Sequence, residues 1–203
     1  MSLNNSTLLI IGLGNPGTEY YSTPHNVGFA AVDALHTYLE KNSYSPTPWK
    51  MDKKSNTLLA QCTVNDHKLI MAKPQTFMNL SGSSVQALTT NYQLPTTNCI
   101  VLHDDIDLVQ GTVRIRNNGS SAGHKGIQNI IEVLGTQEFA RVRIGVRPSQ
   151  EFAGDTTAFV LKKMNKAAQQ IFEQVHELII QELLTILQKG IEEKTLTIEK
   201  DSS

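Results

Sequence analysis

Leu8-Leu9-Ile10-Ile11-Gly12-Leu13-Gly14-Asn15-Pro16-Gly17 is a compact apolar run that gives way to a turn rich in glycine. The same order returns at Cys99-Ile100-Val101-Leu102-His103-Asp104-Asp105-Ile106-Asp107. Apolar runs of this length read as buried strands. In an α/β sheet, the polar residues just past the carboxyl ends of such strands are where ligands and catalytic groups collect. The two polar stretches are therefore expected to be loops sharing one rim. With His25 close behind the first, the chain reads as an enzyme.

Working outward, Val27 to Glu40 carries Val27, Ala30, Ala31, Ala34 and Leu35 at helical spacing. Pro24 keeps Thr23 out of helical geometry, so this helix is expected to start at about Asn26. Thr57 to Val64 and Lys68 to Ala72 read as a hairpin around Asn65-Asp66-His67, because Asn and Asp tolerate the positive φ of tight turns. Met78 to Tyr92 is expected as a helix, Cys99 to Leu102 as a central strand, and Thr112 to Arg116 as an alternating, half-exposed one. A short helix from Gly126 to Leu134 ends at Gly135, and Val142 to Val146 adds a strand. Between Lys166 and Lys189, Ile171, Val175, Leu178, Ile179, Leu183 and Ile186 form a core-facing stripe, and Gly190 is placed to stop the helix in a left-handed conformation. The fold class is α/β: a single domain over residues 1–190 with a mixed, largely parallel β-sheet flanked by α-helices. A polar tail over 191–203 is expected to be mobile.

The chain has 203 residues, enough for one domain with a sizeable core. Its 39% hydrophobic and 18% charged residues exclude extensive disorder. A formal net charge of -1 makes no case for nucleic acid, but the distribution is uneven. Between Thr112 and Arg147 stand Arg114, Arg116, Lys125, Arg141, Arg143 and Arg147 against only Glu132 and Glu138, a local positive potential that can hold phosphates. Scattered solvated charge is the competing reading. Cys62 and Cys99 are too few for a disulfide framework and fit a reducing cytoplasm. The stretch Met1 to Thr7 lacks the basic region of a signal peptide, and no run is long enough to span a bilayer, so a soluble cytoplasmic protein is expected.

Three local patterns point elsewhere. Gly12, Gly14 and Gly17 satisfy G-x-G-x-x-G, but a dinucleotide site needs the helix to begin within the glycines, where its first N–H groups meet a pyrophosphate. Here the helix starts too late. Gly119-Ser120-Ser121-Ala122-Gly123 matches the G-x-S-x-G elbow, with Asp155 and His176 in α/β-hydrolase order. An elbow serine tops a buried strand, however, and Val113-Arg114-Ile115-Arg116 alternates. A small esterase using Ser121 stays open as a third reading. The acidic run His103 to Asp107 could hold a metal or simply form a turn and helix cap. His25, His36, His67, His124 and His176 show no paired ligand spacing, so no metal is assigned.

Taken together, Gly12 to Gly17, Tyr20, His25-Asn26-Val27-Gly28, Lys73-Pro74-Gln75-Thr76-Phe77-Met78-Asn79-Leu80-Ser81-Gly82, His103 to Leu108 and Gly123-His124-Lys125-Gly126 resemble the bacterial-type peptidyl-tRNA hydrolase family. The match runs in order from Leu8 to about Leu161. It implies a phosphorylase/hydrolase-like fold and cleavage of the ester between a peptide and the 3′ terminal ribose of tRNA, with no metal or organic cofactor. The implied partner is peptidyl-tRNA, met at its acceptor stem and 3′ end by a monomer, with no membrane involved.

Carried over residue by residue, His25 resembles the general base and Asp104 the carboxylate that orients and charges it. Asn15 resembles the residue that helps distinguish a blocked α-amine, and Asn79 a substrate-positioning amide. Tyr20, Phe77 and Met78 are expected to offer apolar surface to a peptide side chain or the terminal adenine. Lys125 is expected to contact substrate and, with Arg114, Arg116 and Arg143, to meet phosphates of the acceptor stem in a shape-based manner. The chain departs from the family at Pro24, where Arg is common, at Lys125, where Asn is frequent, and over Asn117-Asn118-Gly119-Ser120, which is less glycine-rich. A non-catalytic RNA-binding or splicing accessory protein on the same fold is the alternative, against which Asn15, His25 and Asp104 argue.

Elementary chemistry agrees with these roles. Ester hydrolysis requires a water to lose a proton as it attacks, and imidazole, with an unperturbed pKa of about 6.5, is suited to take it. A carboxylate on the other ring nitrogen fixes the tautomer and stabilises the imidazolium that forms. An asparagine amide, Asn79 or a neighbouring backbone N–H, can donate to the developing oxyanion, an effect often worth about 3 kcal/mol.

Overall fold

The computed structural model describes residues 7–148 and 154–198. Strand β1 (Thr7–Gly12) lies between β4 (His67–Pro74) and β5 (Cys99–Val109), parallel to both, and β7 (Ala140–Arg147) runs parallel to β5 on its far side. These central strands read as unbroken apolar runs because both faces are covered. Leu8, Ile10, Ile100 and Leu102 join a core with helices α1 (Val27–Lys41) and α5 (Lys166–Lys189). Leu9, Ile11, Cys99 and Val101 join a second core with α2 (Ser81–Tyr92) and α3 (Lys125–Leu134).

Antiparallel strands extend both flanks. Beyond β4 come β3 (Thr57–Val64) and the short β2 (Lys50–Asp52); β3 and β4 meet at Asn65 and Asp66, whose φ of 47° and 67° make the expected tight turn. On the other side β6 (Thr112–Arg116) pairs with β7, and β8 (Lys194–Thr197) with β6, giving the order β2-β3-β4-β1-β5-β7-β6-β8.

Three expectations need correction. The polar tail from 191 contains β8: Leu196 faces Val113 across the ladder, and the Ile198 N–H donates to the Gly111 carbonyl. Four residues with one apolar side chain carry little strand signal of their own; β8 forms by covering the open edge of β6. Residues 199–203 of that tail lie outside the described residues. Second, His103 to Asp107 is not a loop, because β5 continues through it to Val109 and shifts register only after Asp105. Third, Gly190 has a positive φ of 84° but an extended ψ of 176°, so it ends α5 outside the left-handed helical region.

Gly12, the last residue of β1, and Gly28, in the first turn of α1, serve packing. A Cβ on Gly12 would stand 2.3 Å from the Gly28 carbonyl oxygen, and one on Gly28 would stand 2.4 Å from that of Leu102. Only bare backbone lets the first turn of α1 sit on the end of β1 and against Leu102 of β5. The Leu13 N–H to Leu102 carbonyl bond (2.9 Å) and the Phe29 N–H to Leu13 carbonyl bond (3.1 Å) join the three segments. This close approach brings the 3₁₀ turn Pro24–Asn26, which carries His25, to Asp104 midway along β5.

Candidate active site

Midway along β5, Asp104 is 4% exposed, and its Oδ1 lies 2.9 Å from His25 Nδ1 and 2.9 Å from His124 Nε2. His124 is the N-cap of α3, where its Nδ1 accepts the Ile127 N–H. That bond places the His124 proton on Nε2, which then donates to Asp104. His25 likewise uses Nδ1–H on Asp104, leaving Nε2 as the basic nitrogen. Burial alone would raise the Asp104 carboxyl; the hydrogen bonds and charges of His124 and His25 outweigh it and hold the group well below the usual carboxylate range.

His103 forms the layer beneath. Its Nδ1 donates to the Asp104 carbonyl at 2.7 Å, and its ring meets that of His124 edge-on with centroids 4.7 Å apart. Burial, seconded by His124, pushes its pKa well below the ordinary histidine value, so it stays neutral. His25, Asp104 and His124 present ligand atoms within 4.8 Å of one another, a spacing that could hold a metal ion. The proton assignments above account for the same approach through hydrogen bonds.

These groups line a cavity of about 520 Å³, together with Asn15, Phe77, Met78, Asn79 and Lys125. Asn15 is fixed from three sides: its N–H donates to Asn26 Oδ1, its carbonyl accepts from Asn26 Nδ2, and its Oδ1 accepts the Met78 N–H at 2.8 Å. With Oδ1 engaged, Nδ2 is what the amide can offer to the cavity. Phe77 is exposed and Met78 buried, and a Cβ on Gly126 would stand 2.5 Å from Met78 Sδ, so this glycine lets α3 close on the loop that carries Asn79. A six-residue helix, α4 (Thr156–Leu161), absent from the sequence reading, adds Val160 and Leu161 to the apolar part of the lining.

Not every expected residue is in this cluster. Tyr20 lies in a 3₁₀ turn, and it is not among the described residues that line the cavity. Arg114 and Arg143 face each other across the β6–β7 ladder, next to His103 on β5. Arg143 Nε donates to the buried Asp105 carboxylate, Arg114 Nε to Thr195 Oγ1, and Arg116 to the carbonyls of Ile115 and Lys194. Ser121 donates to Gln128 Oε1, Asp155 caps α4 and His176 sits in α5, so the three do not assemble a triad. The sequence reading missed His124; a histidine just before a helix, in a segment already singled out, was the available signal.

The peptidyl-tRNA hydrolase family model matches residues 9–203. A peptidyl-tRNA hydrolase from Desulforamulus reducens is 45% identical over 163 residues, 78% of this chain and 72% of that protein. One from Clostridium novyi is 40% identical over 185 residues, 91% of this chain and 94% of that protein. The crystal structure of the Acinetobacter baumannii peptidyl-tRNA hydrolase superposes with a TM-score of 0.80 at 29% identity, covering 94% of this chain and 92% of that one. Family model, relatives and fold agree, and the chain belongs to the peptidyl-tRNA hydrolase family.

Proposed function

We propose that this chain hydrolyses the ester between a peptide, or an N-blocked aminoacyl group, and the 3′ terminal ribose of tRNA, using water activated by His25. The observation that carries the reading is the His25–Asp104 hydrogen bond on the wall of the cavity. His25 Nε2 takes a proton from water as the water oxygen bonds to the ester carbonyl carbon, and Asp104 stabilises the imidazolium. Collapse of the tetrahedral oxyanion breaks the bond to the ribose oxygen, which recovers the proton from His25. The peptide leaves as a carboxylic acid that loses its proton to solvent, the free tRNA leaves with it, and the base is regenerated.

Asn15 supports selection of a blocked amine by its fixed polarity. An Nδ2 donor pairs with the carbonyl of a preceding peptide bond, whereas a free α-ammonium offers it only another donor. Asn79, exposed at the cavity mouth, positions the ester and can donate to the oxyanion. Phe77 and Met78 carry the apolar contacts, and Lys125, also on the lining, meets substrate. Arg114, Arg116 and Arg143 face the acceptor stem, Arg143 while also neutralising Asp105. Among the described residues no helix is long and apolar enough to cross a membrane; we place the enzyme in the cytoplasm as a monomer.

The test is release of N-blocked amino acid from N-blocked aminoacyl-tRNA, with chelator in a parallel reaction. Cleavage in both is expected. Binding of the tRNA without turnover would replace this function by that of an RNA-binding accessory protein, and loss of activity in Ser121→Ala would point to a serine esterase.

A further inference from the structure

A second, shallower groove of about 310 Å³ adjoins the catalytic cavity, and the two share Asn79, Ser121, Gly123 and Lys125. The groove continues along the outer face of α3 over Gln128 and Asn129. The junction divides two kinds of surface. Phe77, Val160 and Leu161 make one wall apolar, while amides, a hydroxyl and the Lys125 ammonium make the other polar and cationic.

The charges near this junction are unequal in one respect. Asp104 is bonded to two histidines, Asp105 to Arg143, and Glu132 at the far end of the groove accepts from Gln128 Nε2. Lys125, which is exposed, has no hydrogen-bond or ion-pair partner among the described residues. Its backbone follows directly on His124, whose ring centroid is 5.2 Å from that of His25. An ammonium on a four-carbon stem anchored there reaches the space beside the reacting ester.

We propose that Lys125 is a specificity-determining residue that binds the phosphodiester joining the last nucleotide to the rest of the RNA. This rests on peptidyl-tRNA being the substrate, and it assigns the α3 wall to the nucleotide and the α4 wall to the acyl group. Within one ribose of the scissile ester the RNA offers a single fixed anion, that phosphodiester. A compact ammonium suits it as a point charge and adds little base preference, as a site serving many tRNAs requires. The apolar wall is then left for the last side chain of the peptide.

The experiment compares two small substrates, the N-acetyl-aminoacyl ester of adenosine and that of a cytidine–adenosine dinucleotide, with N-blocked aminoacyl-tRNA as reference. Wild type should favour the dinucleotide ester in kcat/KM, mainly through KM, and the preference should weaken with salt. Lys125→Met should reduce that preference about tenfold, the size of one charge-assisted contact, and Lys125→Arg should retain it. A preference unchanged in Lys125→Met overturns the assignment. So does a Lys125→Met effect confined to acidic against neutral acyl groups, which would turn the lysine toward the peptide. Turnover of the tRNA but of neither small ester would move recognition farther along the RNA and also overturn it. Failure on the tRNA itself would instead defeat the underlying function.

Discussion

Asp104 and Asp105 are neighbours on β5, both buried, and strand alternation turns them to opposite faces of the sheet. Asp104 meets two imidazoles, one just before the start of α1 and one just before the start of α3; Asp105 meets the guanidinium of Arg143 and caps the Asp107 N–H. The difference is in what each partner can do with a proton. A guanidinium never gives one up, so the Asp105 pair is a fixed neutralisation that holds β5 to β7. An imidazole can take and return a proton, so a carboxylate bonded to its Nδ1–H leaves Nε2 ready to act as a base. One strand therefore carries a reactive acid and a structural acid side by side, distinguished by their partners.

The most severe test of that contrast removes charge on the reactive side. His25→Ala should slow cleavage of N-blocked aminoacyl-tRNA by at least about 10², and Asp104→Asn by a similar factor in kcat, since the amide cannot stabilise the imidazolium. The double variant should be little worse than either single one, because base and carboxylate act as a unit. Near-normal turnover in Asp104→Asn would erase the distinction between the two acids. A smaller loss, about tenfold to a hundredfold in kcat/KM, is expected for Asn15→Asp, which keeps the Met78 bond but turns a carboxylate oxygen to the cavity. Its discrimination against unblocked aminoacyl-tRNA should narrow, and unchanged discrimination would give that task to another group.

On the structural side the expected readout is stability. Arg143→Gln leaves a buried carboxylate without its cation and should cost about 2 to 3 kcal/mol in urea unfolding. Arg114→Gln, one strand farther out, its side chain bonded among the described residues only to Thr195, should leave stability nearly unchanged and flatten the salt dependence of tRNA binding by about one charge. Equal stability in the two variants would show that Asp105 does not depend on Arg143.

Much of this contrast was legible in the sequence and part of it was not. The central strands and helices declared themselves through continuous and periodic apolar residues, and His25 and Asp104 through the motifs around them. His103 to Asp107 looked like a loop because polar residues in a buried strand are tolerable only when partners arrive from elsewhere. Those partners are His25, His124 and Arg143, and the approach of His25 depends on the bare backbones of Gly12 and Gly28. The Asp104–His124 bond spans the crossing from β5 to α3, and no local pattern encodes it. The edge strand β8 escaped for the opposite reason, having too little apolar character to stand out.

The mildest test asks whether burial without a carboxylate bond gives an imidazole a different character. His176 on α5 has a buried Nε2 with no hydrogen-bond partner among the described residues. Burial lowers its pKa to about 4, opposed only by the nearby charge of Asp33 on α1, which itself pairs with Lys73. Below the ordinary value of about 6.5 the unfolded chain binds a proton that the folded one refuses, so this residue's contribution is intact above that pH and is lost as the pH falls toward 4. Between pH 7 and pH 5 the loss should come to roughly 1 to 2 kcal/mol in the unfolding free energy. His176→Leu should flatten that limb of the pH profile while leaving turnover at pH 7 intact. An unflattened limb would trace the acid sensitivity to other groups and remove the contrast between a histidine that burial merely silences and one that a carboxylate equips as a base.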